Sequence, residues 1–240
     1  MIIQIFYIII FIVIFYIYYY YTYIKHSNED IKKLINYNFN TGDIILFTYK
    51  TKLQYLNRHF TRDKYNHIGI IIDGSKRNMI HISKPHKNIN NPIIQKIDMN
   101  FLLNNDIMEI TILPIIKPID NTIIMNAYKK ILHLKYNHNK LIFVDAINNI
   151  IPIIKFSDDK NNLVICNEFI ALILHDIGII KNLKSKAYKY SFDDFINLPS
   201  YDKEKMKTFL IPSYNFNFGI TYLYTKILEL IPIPKFIRNK

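Results

Sequence analysis

The sequence predicts an α+β domain, one small antiparallel sheet packed on helices, preceded by a single N-terminal transmembrane helix. Three observations predict it. An uncharged apolar run fills residues 2–24, short apolar runs bounded by turn signals cluster between residues 41 and 114, and helical patterns follow that cluster instead of alternating with it. The chain has 240 residues and is 50% hydrophobic, enough for one core of ordinary size plus appendages.

The N-terminal run, Ile2 to Ile24, has Gln4 and Thr22 as its only non-aromatic polar residues, and Lys25 is the first charged one. A helix needs about 20 apolar residues to cross a bilayer, and this stretch suffices. Tyr18 to Tyr21 suit the headgroup layer. A cleaved signal peptide would carry a basic start and a small-residue cleavage site, and neither is present, so an uncleaved anchor is expected. Lys25, Lys32 and Lys33 follow the run and no Lys or Arg precedes it, which places the downstream domain on the cytoplasmic side. Residues 25–40 are expected as a juxtamembrane linker, helical from Asp30 to Ile35.

The domain proper is expected over residues 41–205. Thr41-Gly42-Asp43 signals a turn, and Ile44 to Phe47 is a short buried-strand run. His67 to Ile72 forms a second strand, Asp73-Gly74-Ser75 a hairpin loop, and Met79 to Ile82 the returning strand. Another strand is expected around Met108 to Leu113, closed by Pro114. The spacing of Ile123, Ile124, Ala127, Ile131 and Leu134 predicts a helix over 120–134, capped by Asp120 or Asn121. A second helix is expected over 167–177, with Gly178 as its stop. Residues 206–240 form a C-terminal segment. Its apolar stretch, Gly219 to Ile231, is expected either to dock as a helix or to lie amphipathically on a membrane.

Basic side chains number 31 against 19 acidic ones, a net charge of +12 that favours anionic partners. No Arg cluster or zinc-finger spacing points to nucleic acid, so the expected anionic partner is the lipid bilayer. The single cysteine, Cys166, excludes an intramolecular disulfide and suits a reducing compartment. It also excludes a CxxC zinc site. His133 and His138 lack companion ligands, and no glycine-rich phosphate loop occurs, so neither a metal nor a cofactor is expected.

Cys166 separates an apolar lead-in, Leu163-Val164-Ile165, from a helical pattern starting at Asn167. A thiol there meets unpaired backbone N–H groups and the positive end of the helix dipole, which favour its thiolate. The same N–H groups can stabilise an oxyanion. His67 opens a buried strand, from which it can reach towards that helix and act as general base. A base needs an orienting partner. If Asp73-Gly74-Ser75 is a three-residue loop, Ile72 pairs with Lys76 and His67 lies directly opposite His81, on the same face. A loop longer by one residue would turn His81 to the other face, leaving Ser83, His86 and Glu109 as alternatives.

These segments (Gly42-Asp43-Ile44-Ile45-Leu46-Phe47, Tyr65-Asn66-His67-Ile68-Gly69-Ile70 and Ile165-Cys166-Asn167-Glu168-Phe169) together resemble the circularly permuted NlpC-type papain-like cysteine hydrolases. That group includes YiiX/YaeF-like bacterial proteins, viral members and, remotely, lecithin:retinol acyltransferase. In the permuted branch His precedes Cys, as here. The family's GD motif matches Gly42 and Asp43, its strand-opening His matches His67, its helix-opening Cys matches Cys166, and its third polar residue falls nearest His81. Lys135-Tyr136-Asn137 resembles a further family segment, while Asn167 stands where the family often has Ser. The resemblance spans roughly residues 41–200. It implies thiolate attack on an amide or ester, of a lipid acyl group or a peptide, through an acyl-enzyme, as hydrolase or acyltransferase. A viral origin fits those relatives and the composition. The alternative expectation is a catalytically idle domain serving as a membrane-bound interaction module.

Overall fold

The computed structural model describes residues 2–49, 64–82, 92–104, 107–136, 163–184 and 190–212. The chain divides into two units, residues 1–36 with 209–240, and residues 37–208.

The first unit is built on one continuous helix, α1, Ile2–Ile35. Residues 25–35, expected mostly as linker, therefore continue the helix of the apolar run. The helix presents large apolar side chains outward: Phe11 is 70% exposed, Ile14 61% and Ile17 58%. Aromatic rings four residues apart stack along it, Phe11 on Phe15 and Phe15 on Tyr19. Towards its C-terminal end the Tyr23 hydroxyl donates to the Ile211 carbonyl, and Asp30 accepts from the Leu210 amide at 3.1 Å. Among the described residues no helix is long and apolar enough to cross a membrane. The side chains of residues 2–6, 8, 9 and 12 of the expected anchor lie outside the described set, as do residues 213–240 with the expected C-terminal apolar segment.

The second unit is α+β. Its elements are β1 (Ile44–Tyr49), β2 (His67–Asp73), β3 (Asn78–Ile82), β4 (Pro92–Lys96), α2 (Met99–Asn104), β5 (Ile107–Leu113), α3 (Asn121–Lys130), β6 (Lys135–Tyr136), β7 (Leu163–Val164), α4 (Cys166–Asp176) and α5 (Phe192–Ile196), with β8 (Lys207–Leu210) at its end. The six-stranded sheet runs β4-β3-β2-β1-β5-β8, and β6 pairs with β7 in a separate parallel ribbon. Pairings within β4-β3-β2-β1-β5 are antiparallel.

Both faces of the central strands are buried, which explains their near-continuous apolar sequences. Ile44, Leu46, Ile68, Ile70, Ile72, Ile80 and Ile82 form one face and pack with Phe169, Ile170, Ile173 and Leu174 of α4 and with Ile124 and Ala127 of α3. The alternate residues, among them Phe47, His67, Met79 and His81, turn to the other face. There Phe101 of α2 meets the Phe47 ring at 6.0 Å and the His81 ring at 6.3 Å.

The β2–β3 hairpin differs from the expected register. Its turn is Gly74 to Arg77, one residue longer than expected, with Asp73 opposite Asn78 and Arg77 at φ 60°. A bulge between Ile71 and Asp73 then adds one residue to β2, so Gly69, not His67, lies opposite His81. The longer turn alone would have rotated His81 to the far face; the bulge rotates it back. At this point a Cβ on Gly69 would stand 2.5 Å from the Met79 sulfur, so the absence of a side chain lets Met79 pack there.

Helix ends follow local chemistry. Asp120 caps α3, accepting from the Thr122 amide at 2.7 Å. Gly178, at φ 80°, follows α4 as its stop.

Candidate active site

The turn before β1 shows what the Gly42-Asp43 pair does. Asp43 is fully buried, and its carboxylate accepts from the Asn40 amide and from the Ile115 amide, each at 2.9 Å. It staples the turn to the chain leaving β5. Loss of solvation raises its pKa, while the two amide bonds pull it back. Gly42 takes φ 101°, with the Ile115 and Ile119 side chains packed against the position a Cβ would occupy.

β1 and β2 run antiparallel, so the last residue of β1, Tyr49, and the first of β2, His67, stand at the same end of the sheet. The ladder stops there and is replaced by a side chain. Asn66 accepts from the Tyr49 amide through Oδ1 at 3.0 Å and donates to the Tyr49 carbonyl through Nδ2 at 3.4 Å. The His67 ring lies between Phe47 and Tyr49, with centroids at 5.7 and 5.6 Å.

His67 Nε2 and His81 Nδ1 are 2.8 Å apart, a hydrogen bond between two buried imidazoles. Burial and then the neighbouring His81 hold His67 well below the usual imidazole pKa, and burial pushes His81 down to about 4. Both rings are therefore neutral at pH 7, and one donates to the other. With Nε2 engaged, Nδ1 is the His67 nitrogen left for proton transfer. On the far side of the pair, His81 Nε2 is buried and has no hydrogen-bond partner among the described residues.

Cys166 is the first residue of α4 and is 2% exposed. Ile165, at the N-cap position, has no side-chain acceptor, so the leading N–H groups of the helix receive no cap from it. Glu168 reaches back to the Ile165 amide at 3.4 Å. The thiol donates to Asn167 Oδ1 at 3.4 Å, and Asn167 in turn donates to the Tyr190 carbonyl at 2.9 Å. Cys166 belongs to the apolar cluster on the α4 face, whereas the histidines belong to the α2 face. The Tyr49 ring packs on His67, and its phenol is held above the ordinary range by loss of solvation and then by the charge of Cys166.

The structure thus brings His67 and His81 into direct contact and places Cys166 at the start of α4, in the apolar cluster of the other sheet face. Glu109, an alternative orienting residue, pairs with Thr48, turns to the opposite face from His67 and meets Lys64 at 3.8 Å. Ser83 and His86 lie outside the described residues. Among the described residues no group of three His, Cys, Asp or Glu side chains is placed to hold a metal ion. Sequence reasoning missed Tyr49 and the Asn66 clamp. The available signal for Asn66 was its place next to His67, where an amide side chain can take over a ladder that stops.

No protein family and no curated protein matches the sequence.

Proposed function

We propose that the chain is a membrane-anchored thiol hydrolase or acyltransferase of the permuted papain-like kind, with Cys166 as nucleophile, His67 as general base and His81 as its orienting partner. The buried His67–His81 hydrogen bond is the observation that carries this reading, because it holds the ring orientation a base needs. His67 Nε2–H donates to His81 Nδ1, which leaves His67 Nδ1 unprotonated. Nδ1 takes the Cys166 proton as sulfur attacks the acyl carbon. The oxyanion of the tetrahedral intermediate is met by N–H groups of the first turn of α4. Collapse breaks the bond to the amine or alcohol, which leaves with the proton from His67. Water, or an acyl acceptor, then releases the acyl group from sulfur by the reverse sequence.

The exposed apolar side chains of α1 support anchoring in a bilayer, Lys25, Lys32 and Lys33 after the apolar run support a cytoplasmic side for the domain, and the charge of +12 supports an anionic lipid surface. A substrate held at that surface, a lipid acyl ester or amide, fits the anchor better than a soluble peptide. The second reading, an idle interaction module, rests on one observation: Cys166, His67 and His81 are 2%, 4% and 3% exposed.

Intact-mass analysis of the full chain after exposure to p-nitrophenyl esters separates the two. The enzyme reading expects one acyl group on Cys166, absent in Cys166→Ala and His67→Ala. A folded wild-type chain that gains no acyl group and releases no nitrophenol leaves the idle module standing.

A further inference from the structure

We infer that the C-terminal apolar segment, Gly219 to Ile231, docks as a helix on a tyrosine-rich stripe of α1, so that the two ends of the chain pack on each other. The inference is independent of the thiol-hydrolase reading. It concerns which surface the segment covers, protein or lipid.

The stripe itself is the first observation. Tyr23, Ser27, Ile31 and Leu34 are buried, and Tyr16 and Tyr20 are half-buried. Steps of three and four residues put all of them on one side of the helix. Phe11, Ile14, Tyr18 and Tyr21 point the other way and are exposed. Stacking along the helix does not explain the cover over the tyrosines. Tyr16 stacks on Tyr20 at 6.2 Å, yet Phe11 and Phe15 stack at 6.4 Å and both stay exposed.

The path of the chain names the occupant. α1 shares its unit with residues 209–240. Asp30 holds the Leu210 amide and Tyr23 holds the Ile211 carbonyl, so successive residues step along α1 towards its N-terminal half. The described chain ends at Pro212, whereas Tyr16 lies about 10 Å beyond Tyr23 along the helix axis. The residues after Pro212 are the ones placed to cover it.

The segment carries a matching pattern. Ile220, Leu223, Tyr224, Ile227 and Ile231 fall on one side of a helix, and Thr225, Lys226 and Glu229 on the other. That helix would be about 20 Å long, enough to run past Tyr20 and Tyr16. A helix lying on an anionic bilayer carries Lys and Arg along its polar face. Here Glu229 offsets Lys226, so charge does not draw this polar face to lipid headgroups, and apolar packing on α1 is favoured. Docking on the stripe leaves Phe11 and Ile14 facing outward.

The test is a disulfide scan in the full chain carrying Cys166→Ser, which leaves no native thiol. Tyr16→Cys or Tyr20→Cys is combined in turn with Leu223→Cys, Ile227→Cys, Thr225→Cys or Glu229→Cys, and each chain is mildly oxidised. A disulfide needs Cα atoms within about 7 Å. The inference expects Leu223→Cys or Ile227→Cys to lose both thiols within one chain, with Thr225→Cys and Glu229→Cys keeping theirs. Tyr18→Cys, on the exposed side of α1, is expected to form no disulfide with any of the four. The two stripe positions serve as alternatives, so a chain that fails to fold with one is replaced by the other. No disulfide from Leu223→Cys or Ile227→Cys, or equal yields from both faces of the segment, overturns the docking. Disulfides that join two chains overturn it as well, because a second copy would then cover the stripe.

Discussion

His67 and His81 hydrogen-bond at 2.8 Å although they are not cross-strand partners; Gly69 lies opposite His81, and the two imidazoles meet along a diagonal of the β2–β3 ladder. The missing Gly69 side chain clears the space beside that diagonal, where Met79 packs instead. Each ring is thereby the principal polar neighbour of the other.

His81→Phe fills the same space and removes the hydrogen-bond partner of His67 Nε2. In the proposed enzyme its acylation rate falls about a hundredfold, in the range set by general-base catalysis. Alkylation by a pH series of iodoacetamide reports the same change as an altered profile. Unchanged rates and profile would show that His81 only fills space.

Acid weakens the fold through the same pair. Unfolded imidazoles titrate near 6.5, while burial lowers both in the folded chain, His81 to about 4. Between those values the unfolded chain binds protons that the folded chain refuses, so stability falls as pH falls from about 6.5 towards 4. His81 alone contributes on the order of 3 kcal/mol of this loss, and His67 adds loss of the same sign. Denaturant midpoints at pH 7 and 4.5 measure it. His81→Gln is expected to flatten the slope, and an unaltered slope would refute the assignment.

Asp43→Ala removes the acceptor of the Asn40 and Ile115 amides and leaves both N–H groups in an apolar interior. The expected cost is about 3 kcal/mol, or a fall in Tm of roughly 10 °C. Asp43→Asn, which keeps one acceptor oxygen, costs less. A thermal melt of each variant checks the order.

The outward apolar side chains of α1 predict partition into lipid. Phe11→Lys, Ile14→Lys and Ile17→Lys together are expected to move the full chain from the vesicle pellet to the supernatant in sedimentation with anionic vesicles. Retention in the pellet would place membrane contact elsewhere in the chain.

Much of the sheet was legible because strands buried on both faces carry unbroken apolar runs; Ile44 to Phe47, His67 to Ile72, Met79 to Ile82 and Met108 to Leu113 all lie in strands. The helix behind Cys166 was legible from its 3.6-residue pattern and Gly178. The edge strands were not. β4 opens on Pro92 and alternates half-buried Ile93 and Gln95 with exposed Ile94 and Lys96, and β8 is too short for a period to show. The His67–His81 pairing was read from a turn of the wrong length. It came out on the right face because turn and bulge each add one residue, and no propensity rule marks a bulge at Ile72. The packing of Tyr49 on His67 was illegible because it depends on where β1 ends relative to β2, a tertiary fact.

That cancellation makes the β2–β3 hairpin a parity device. Side-chain facing repeats every two residues, so the hairpin stores the orientation of His81 as an even or odd count of the residues between it and His67. Deleting Ser75 alone reverses the count and turns the second imidazole out of the pair, even though the shorter turn is chemically sound. Deleting Ser75 and Ile72 together restores it. Length changes in this hairpin are thus tolerated in twos and penalised in ones, whatever the residues are.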